Sequence, residues 1–220
     1  MSASGADTER SRQAVIDAAR AMEARGLNRG TSGNVSVRAG EAMLITPSGI
    51  PCDALRPETI ARLPLDGGAA EGPCKPSTEW HLHRALYRAR PGAGAVLHAH
   101  PPHCTALAMA RRPIPACHYM VAAFGGGDVP LADYATFGSE ALSDATVRAM
   151  TGRTACLMAN HGATVIGDTL DRALWRLEEL ETLARGYVLS LQAGGPHLLS
   201  ADEIAETLTR FADYGLRTVP

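Results

Sequence analysis

The chain has 220 residues, a net charge of −2, 45% apolar residues and only 5% aromatic ones. That supports one core of Ala, Leu, Val, Ile and Met, and a single domain over 1–220 is the expectation. The mixed charges exclude a basic nucleic-acid stripe and an acidic tail, and no apolar run approaches the ~20 residues of a membrane span.

The five cysteines, at 52, 74, 104, 117 and 156, include no Cys-x-x-Cys pair. The first residues lack a charged stretch followed by an apolar one. Both features point to reduced thiols in a cytoplasm.

Apolar positions Ala14, Val15, Ala18, Ala19 and Met22 recur near helical spacing, predicting a helix over 8–25 that Gly26 ends. Residues 27–38 read as a glycine-rich turn running into an alternating strand. Spacing alone makes this an ordinary helix-to-strand loop; the alternative is that its amides and Asn34 face an anion. A second strand over 43–46 runs into the turn Pro47-Ser48-Gly49. Residues 57–66 suggest a short helix, a strand and a turn, and 67–73 a surface loop.

Ser77 or Thr78 is placed to cap the next helix, with Glu79 in its first turn. Taken alone, Glu79 is a carboxylate complementing the helix dipole. Val96-Leu97-His98-Ala99-His100 then reads as a short buried strand. Alternate side chains of a strand share a face, so His98 and His100 project together. Two imidazoles on one face are half of a zinc site.

Pro102 opens a helix to about residue 110. On it, His103 reads first as a solvent-exposed residue, then as a donor behind a metal ligand, and last as a ligand. Residues 115–120 are extended, and 125–127 and 134–138 are irregular loops of the kind that often carry function. Ser139 caps a helix of about ten residues. A buried strand over 154–159 leads through Asn160-His161-Gly162 into another, making His161 the best third ligand. A long helix spans 168–193, and Ser200 with Glu203 forms a capping box for the last one. The alternation predicts a three-layer α/β domain with a mixed or mainly antiparallel sheet. Spacing alone reaches a zinc lyase or hydrolase and no further.

Five segments in order carry more: Gly30-Thr31-Ser32-Gly33-Asn34-Val35-Ser36, Ile45-Thr46-Pro47-Ser48-Gly49-Ile50-Pro51, Pro76-Ser77-Thr78-Glu79-Trp80, His98-Ala99-His100 and Asn160-His161-Gly162. Together they resemble the class II aldolase/adducin family, from about residue 10 to 217. Further matches to its ketose 1-phosphate aldolases are Ile114–Met120, Tyr134–Gly138 and Tyr214-Gly215-Leu216-Arg217.

The resemblance implies the aldolase α/β fold, with a central mainly antiparallel sheet and helices on both faces. It also implies a cyclic homotetramer with active sites between subunits. Zn2+, or another divalent ion such as Mn2+ or Co2+, would be held by His98, His100 and His161, and by Glu79 when substrate is absent. Asn34, Ser48, Gly49, Ser77 and Thr78 would bind a substrate phosphate. Glu79 would leave the metal to shuttle the proton of a retro-aldol cleavage. Tyr119, from a neighbouring subunit, would serve the C4 oxygen, while Phe137, Phe211 and Tyr214 shape the aldehyde end.

The implied substrate is a ketose 1-phosphate, L-fuculose 1-phosphate first, cut to dihydroxyacetone phosphate and L-lactaldehyde. The alternatives are 5-deoxyribulose or 5-methylthioribulose 1-phosphate, and the family's epimerase or decarboxylase chemistry. Family epimerases carry Asp where this chain has Glu79, and adducin-type scaffolds have lost the metal ligands; both points favour an aldolase. The departures are Ala99, where the aldolases have a polar residue, and Pro101-Pro102, where they have small apolar ones.

Overall fold

The computed structural model describes residues 7–211. Its first helix, α1 (Glu9–Ala24), starts where Thr8 Oγ1 accepts from Ser11 N–H, and it buries Val15, Ile16, Ala18, Ala19 and Met22. Gly26, at φ +69°, ends it in the left-handed conformation that glycine adopts without strain. The remaining α-helices are α2 (Trp80–Ala89), α3 (Pro102–Met109), α4 (Glu140–Ala149), α5 (Leu170–Gln192) and α6 (Ala201–Phe211). Short 3-10 helices cover Cys52–Ala54, Pro57–Thr59 and Tyr119–Phe124, the last beginning inside the segment 115–120 expected to be extended.

The strands are β1 (Asn34–Ala39), β2 (Ala42–Ile45), β3 (Ala61–Pro64), β4 (Ala95–Ala99), β5 (Leu131–Ala132), β6 (Ala155–Met158) and β7 (Gly162–Gly167). They form one seven-stranded sheet in the order β3-β2-β1-β4-β7-β6-β5. Every pairing is antiparallel except β5 with β6. The expected mainly antiparallel three-layer architecture is therefore present.

Pleating splits the core in two. Ala95, Leu97 and Ala99 of β4 pack with apolar residues of α1, α3 and α5. Val96 packs with Leu82, Leu86 and Tyr87 of α2 and Leu142 and Ala145 of α4. His98 shares the parity of Val96, so it faces α2 from the middle of the sheet. The register sets Asn34 of β1 opposite His98, and His98 opposite Thr164 of β7. Three polar groups thus meet on one face because neighbouring strands hold them there.

Two further local expectations change. Glu79 takes the capping position of α2 rather than its first turn, and no side chain caps that helix; Ser77 Oγ accepts the Glu79 N–H at 3.3 Å. The carboxylate is drawn instead into a buried polar cluster. His103 is neither freely exposed nor near the histidine cluster: its Nδ1 meets Glu181 Oε1 at 2.7 Å. Glu181, on α5, also accepts the N–H groups of His103 and Cys104, so it caps α3 from another helix. No described helix is long and apolar enough to cross a membrane.

Candidate metal centre and active site

His98 is the last residue but one of the wholly buried strand β4, and His100 follows just beyond the strand. His161 arrives from the β6–β7 turn, where Asn160 adopts φ +54°. Asn tolerates that left-handed conformation better than most residues. Its side chain accepts Arg111 Nε–H at 2.9 Å, and its amide donates to Ala108 O. The turn is thus tied to the end of α3, and His161 is aimed at β4.

Gly162 permits the closeness. A Cβ there would lie 2.5 Å from Ala99 O and 2.5 Å from His100 Cδ2.

The three imidazoles offer nitrogens within 4.8 Å of one another. His98 Nε2 lies 3.1 Å from His100 Nε2 and 3.2 Å from Glu79 Oε2, and His161 Nε2 lies 3.4 Å from Glu79 Oε1. The Nδ1–H of His98 donates to Ala163 O at 3.0 Å, which leaves its Nε2 bare toward the cluster. Burial first, then the neighbouring rings, holds His98 far below the ordinary imidazole range; burial and His100 bring His161 down to about 4. Burial alone lowers His100.

All three rings therefore present neutral lone pairs. Burial raises Glu79, against the hydrogen bond from Asn34 that lowers it. Glu79 Oε1 is buried without a hydrogen-bond partner. Convergent lone pairs and an orphaned carboxylate oxygen form a donor set that a divalent cation satisfies, so the residues fit a three-histidine metal site with a carboxylate beside it.

A cavity of about 390 Å³ opens onto this cluster, lined by Thr31, Ser32, Asn34, Pro47, Ser48, Ser77, Thr78, Glu79, His100, Tyr134, Ala135, Phe137, Asn160 and His161. It gathers most of the residues expected at a phosphate and all four expected around the metal except His98, which lies behind it. Gly49 shapes the adjacent turn at φ +71° without lining the cavity. No Lys or Arg appears among the described lining residues, so hydroxyls and amides are the donors for an anion here. A larger cavity of about 480 Å³ lies by the opposite ends of β4 and β7, but among the described residues no histidine cluster faces it.

Phe137 lines the metal cavity, 65% exposed. Tyr119 and Phe211 do not. Their rings pair at 6.4 Å and border a separate hollow with Glu203, Glu206, Thr207 and Arg210. Tyr214 lies outside the described residues.

Sequence reading missed Tyr134 and Asn160 as lining residues, although both stand in motifs it quoted. It also missed a buried polar ladder behind Glu79. Asn34 Nδ2–H donates to Glu79 Oε2 at 2.9 Å, Asn34 Oδ1 meets His83 Nε2, His83 Nδ1 meets Ser36 Oγ at 2.7 Å, and Ser36 Oγ meets Tyr87 OH at 2.9 Å. The signal was the spacing Glu79, His83, Tyr87, four apart on a helix, against Asn34 and Ser36, two apart on a strand.

Burial pushes His83 from 6.5 down to about 3. Between these values the unfolded chain binds a proton that the folded chain refuses. The stability contributed by the neutral ring is complete above about pH 6.5 and is lost as pH falls through that window, at about 1.4 kcal/mol per pH unit. Denaturant melts of metal-free chain should lose stability from about pH 6.5 to pH 4, and His83→Gln should flatten the slope by about one proton. An unchanged slope would show that this ring titrates as if exposed.

A family model, the class II aldolase and adducin N-terminal domain, matches residues 13–188. The chain belongs to the class II aldolase and adducin family. It is 48% identical over 204 residues to a 5-methylthioribulose-1-phosphate/5-deoxyribulose-1-phosphate aldolase of Rhodospirillum rubrum, covering 93% of this chain and 92% of that one. It is 46% identical over 204 residues to an L-fuculose phosphate aldolase of Escherichia coli K12, covering 92% and 94%. A solved L-fuculose 1-phosphate aldolase superposes with a TM-score of 0.90 at 36% identity, over 93% of this chain and 97% of that one. The histidine cluster and Glu79 lie at the cavity described above.

Proposed function

We propose that this chain is a zinc-dependent class II aldolase that cleaves a ketose 1-phosphate reversibly to dihydroxyacetone phosphate and a short aldehyde. L-Fuculose 1-phosphate, giving L-lactaldehyde, is the first substrate. The observation that carries this reading is the convergence of His98, His100 and His161 on one another beside the Glu79 carboxylate, whose Oε2 meets His98 and whose orphaned Oε1 meets His161. A bound divalent ion supplies Lewis acidity, worth several kcal/mol where negative charge develops on the substrate oxygens.

The protein supplies the rest. His98, His100 and His161 hold the ion. Ser48, Ser77, Thr78 and the amides around Asn34 and Gly49 hold the phosphate through neutral donors, helped by the positive end of α2. The C4 hydroxyl gives up its proton, which Glu79 takes up, as the C3–C4 bond breaks and that bond's electron pair passes to an ene-diolate over C2 and C3. Glu79 then delivers a proton to C3, which completes dihydroxyacetone phosphate. Tyr119 serves the C4 oxygen from a neighbouring subunit; its position on its own chain, away from the metal cavity and 46% exposed, supports that arrangement. The assembly is a cyclic homotetramer in the cytoplasm, with Phe211 and Tyr214 joining Phe137 at the aldehyde end.

A second substrate reading rests on the 48% identity to the Rhodospirillum enzyme and on Tyr134, Ala135 and Phe137 at the cavity wall. Such a surface suits the small aldehydes from 5-deoxyribulose or 5-methylthioribulose 1-phosphate. A product assay for dihydroxyacetone phosphate across the three ketose 1-phosphates, with metal analysis of the same sample, tests both. About one zinc per chain and cleavage of at least one substrate are expected. No cleavage of any would turn the reading toward epimerase or decarboxylase chemistry, and full activity without metal would overturn the mechanism.

A further inference from the structure

Helix α2 lies over β1 with their periods matched. Four residues of helix rise about 6 Å and two residues of strand about 6.8 Å. The row Glu79, His83, Tyr87 therefore keeps step with Asn34 and Ser36, and the contacts alternate between the two elements. Asn34, Ser36, His83 and Tyr87 are all at most 3% exposed, so the row is buried, and it meets the metal cavity only at its Asn34–Glu79 end.

The direction of every hydrogen bond in this row follows from its end. Asn34 turns its amide nitrogen to Glu79 Oε2 at 2.9 Å, and an amide N–H only donates, so this end of the row is fixed. Asn34 Oδ1 then faces His83, and an amide oxygen only accepts, so His83 Nε2 carries the proton. Burial holds this ring neutral at ordinary pH, with its pKa pushed down to about 3. Its Nδ1 is therefore a bare acceptor, Ser36 Oγ–H donates to it, and Tyr87 O–H donates to Ser36. All donors point toward Glu79. With Oε2 anchored in this way, Oε1 has no hydrogen bond and faces His161 at 3.4 Å.

We propose that His83 is a positioning residue: its Nε2–H ring locks the amide of Asn34, which in turn fixes the Glu79 carboxylate and leaves Oε1 as the working oxygen. This rests on the reading of Glu79 as the functional carboxylate. If the ring switched to the Nδ1–H form, Asn34 would turn its oxygen to Glu79. Two acceptors would then face each other across a hydrogen-bond distance at a place where both residues are at most 5% exposed. Partners one step behind a metal site typically matter about 10–100-fold in affinity or activity.

Two substitutions separate this role from simple core filling. In His83→Gln, the side-chain nitrogen sits near the position of the ring Nε2 and still donates to Asn34. In His83→Asn, the shorter amide reaches only the Nδ1 position, beside Ser36. Both leave a polar amide in the same buried place, and denaturant melts record the stability of each.

His83→Asn is expected to lose about 10–100-fold in zinc affinity, measured against a competing chelator, and in kcat for a ketose 1-phosphate, with KM changed less. His83→Gln should recover most of both. The ring ¹⁵N shifts of His83 in the wild-type chain, with and without zinc, should show the Nε2–H form. Equal behaviour of the two variants at equal stability, or an Nδ1–H ring, would overturn the positioning role. A wild-type chain that takes up no zinc or cleaves no ketose 1-phosphate would sink the aldolase reading, while the ring tautomer would still decide the ladder.

Discussion

Glu79→Gln is expected to lower turnover by roughly 10²–10⁴ while leaving the fold intact. The amide has nearly the shape of the carboxylate, so Asn34 and the histidines keep a neighbour of the same size. It cannot take up and return a proton, and that is the loss the kinetics would read. Stability should move in the opposite direction. Glu79 is 5% exposed, its Oε1 has no hydrogen-bond partner, and burial raises its pKa; in metal-free chain the charged group is therefore a liability. A neutral amide removes that desolvation cost, and metal-free Glu79→Gln should melt no lower than wild type. Turnover, metal content and denaturant midpoint on the same preparations check all three. Near-normal turnover would give Glu79 a structural role.

Gly162→Ala is expected to weaken zinc binding by about 10–100-fold without touching a ligand. The added Cβ would meet Ala99 O and His100 Cδ2, each at 2.5 Å. The carbonyl belongs to β4 and is held by the antiparallel register with β7, so it cannot retreat cheaply. The His100 ring must swing, and the nitrogen spacing of the cluster opens with it. Overpacking adds about 1–3 kcal/mol of destabilisation. Chelator competition gives the affinity, and circular dichroism shows whether the sheet survives. Zinc affinity within twofold of wild type would mean that His100 tolerates the shift.

Much of this was legible before any coordinates. Capping residues Ser139 and Ser200, the stop at Gly26, and the helical and alternating apolar rows all act over a few residues, so local sequence predicts them. The His98/His100 pair was legible for the same reason, since a strand's period of two puts them on one face. The placement of Glu79 was not legible from spacing: on local grounds it belongs to a helix dipole, and only the packing of α2 on β1 turns it toward the histidines. His103 failed in the other direction, because its partner Glu181 stands 78 residues away.

By itself, then, the sequence determined most of the elements, the caps at Ser139 and Ser200, the metal-ligand types and, through five ordered motifs, the family. Tertiary structure alone decided which titratable groups share a site. It set His98 opposite Asn34 and Thr164, brought His161 within ligand distance of His100, sent Tyr119 and Phe211 to a different hollow, and laid Glu79, His83 and Tyr87 along Asn34 and Ser36. The physical reason is range. Capping and periodicity are written over three to eight neighbouring residues, whereas strand register and helix-on-sheet packing join residues about 45 to 65 positions apart, through burial that no local window contains.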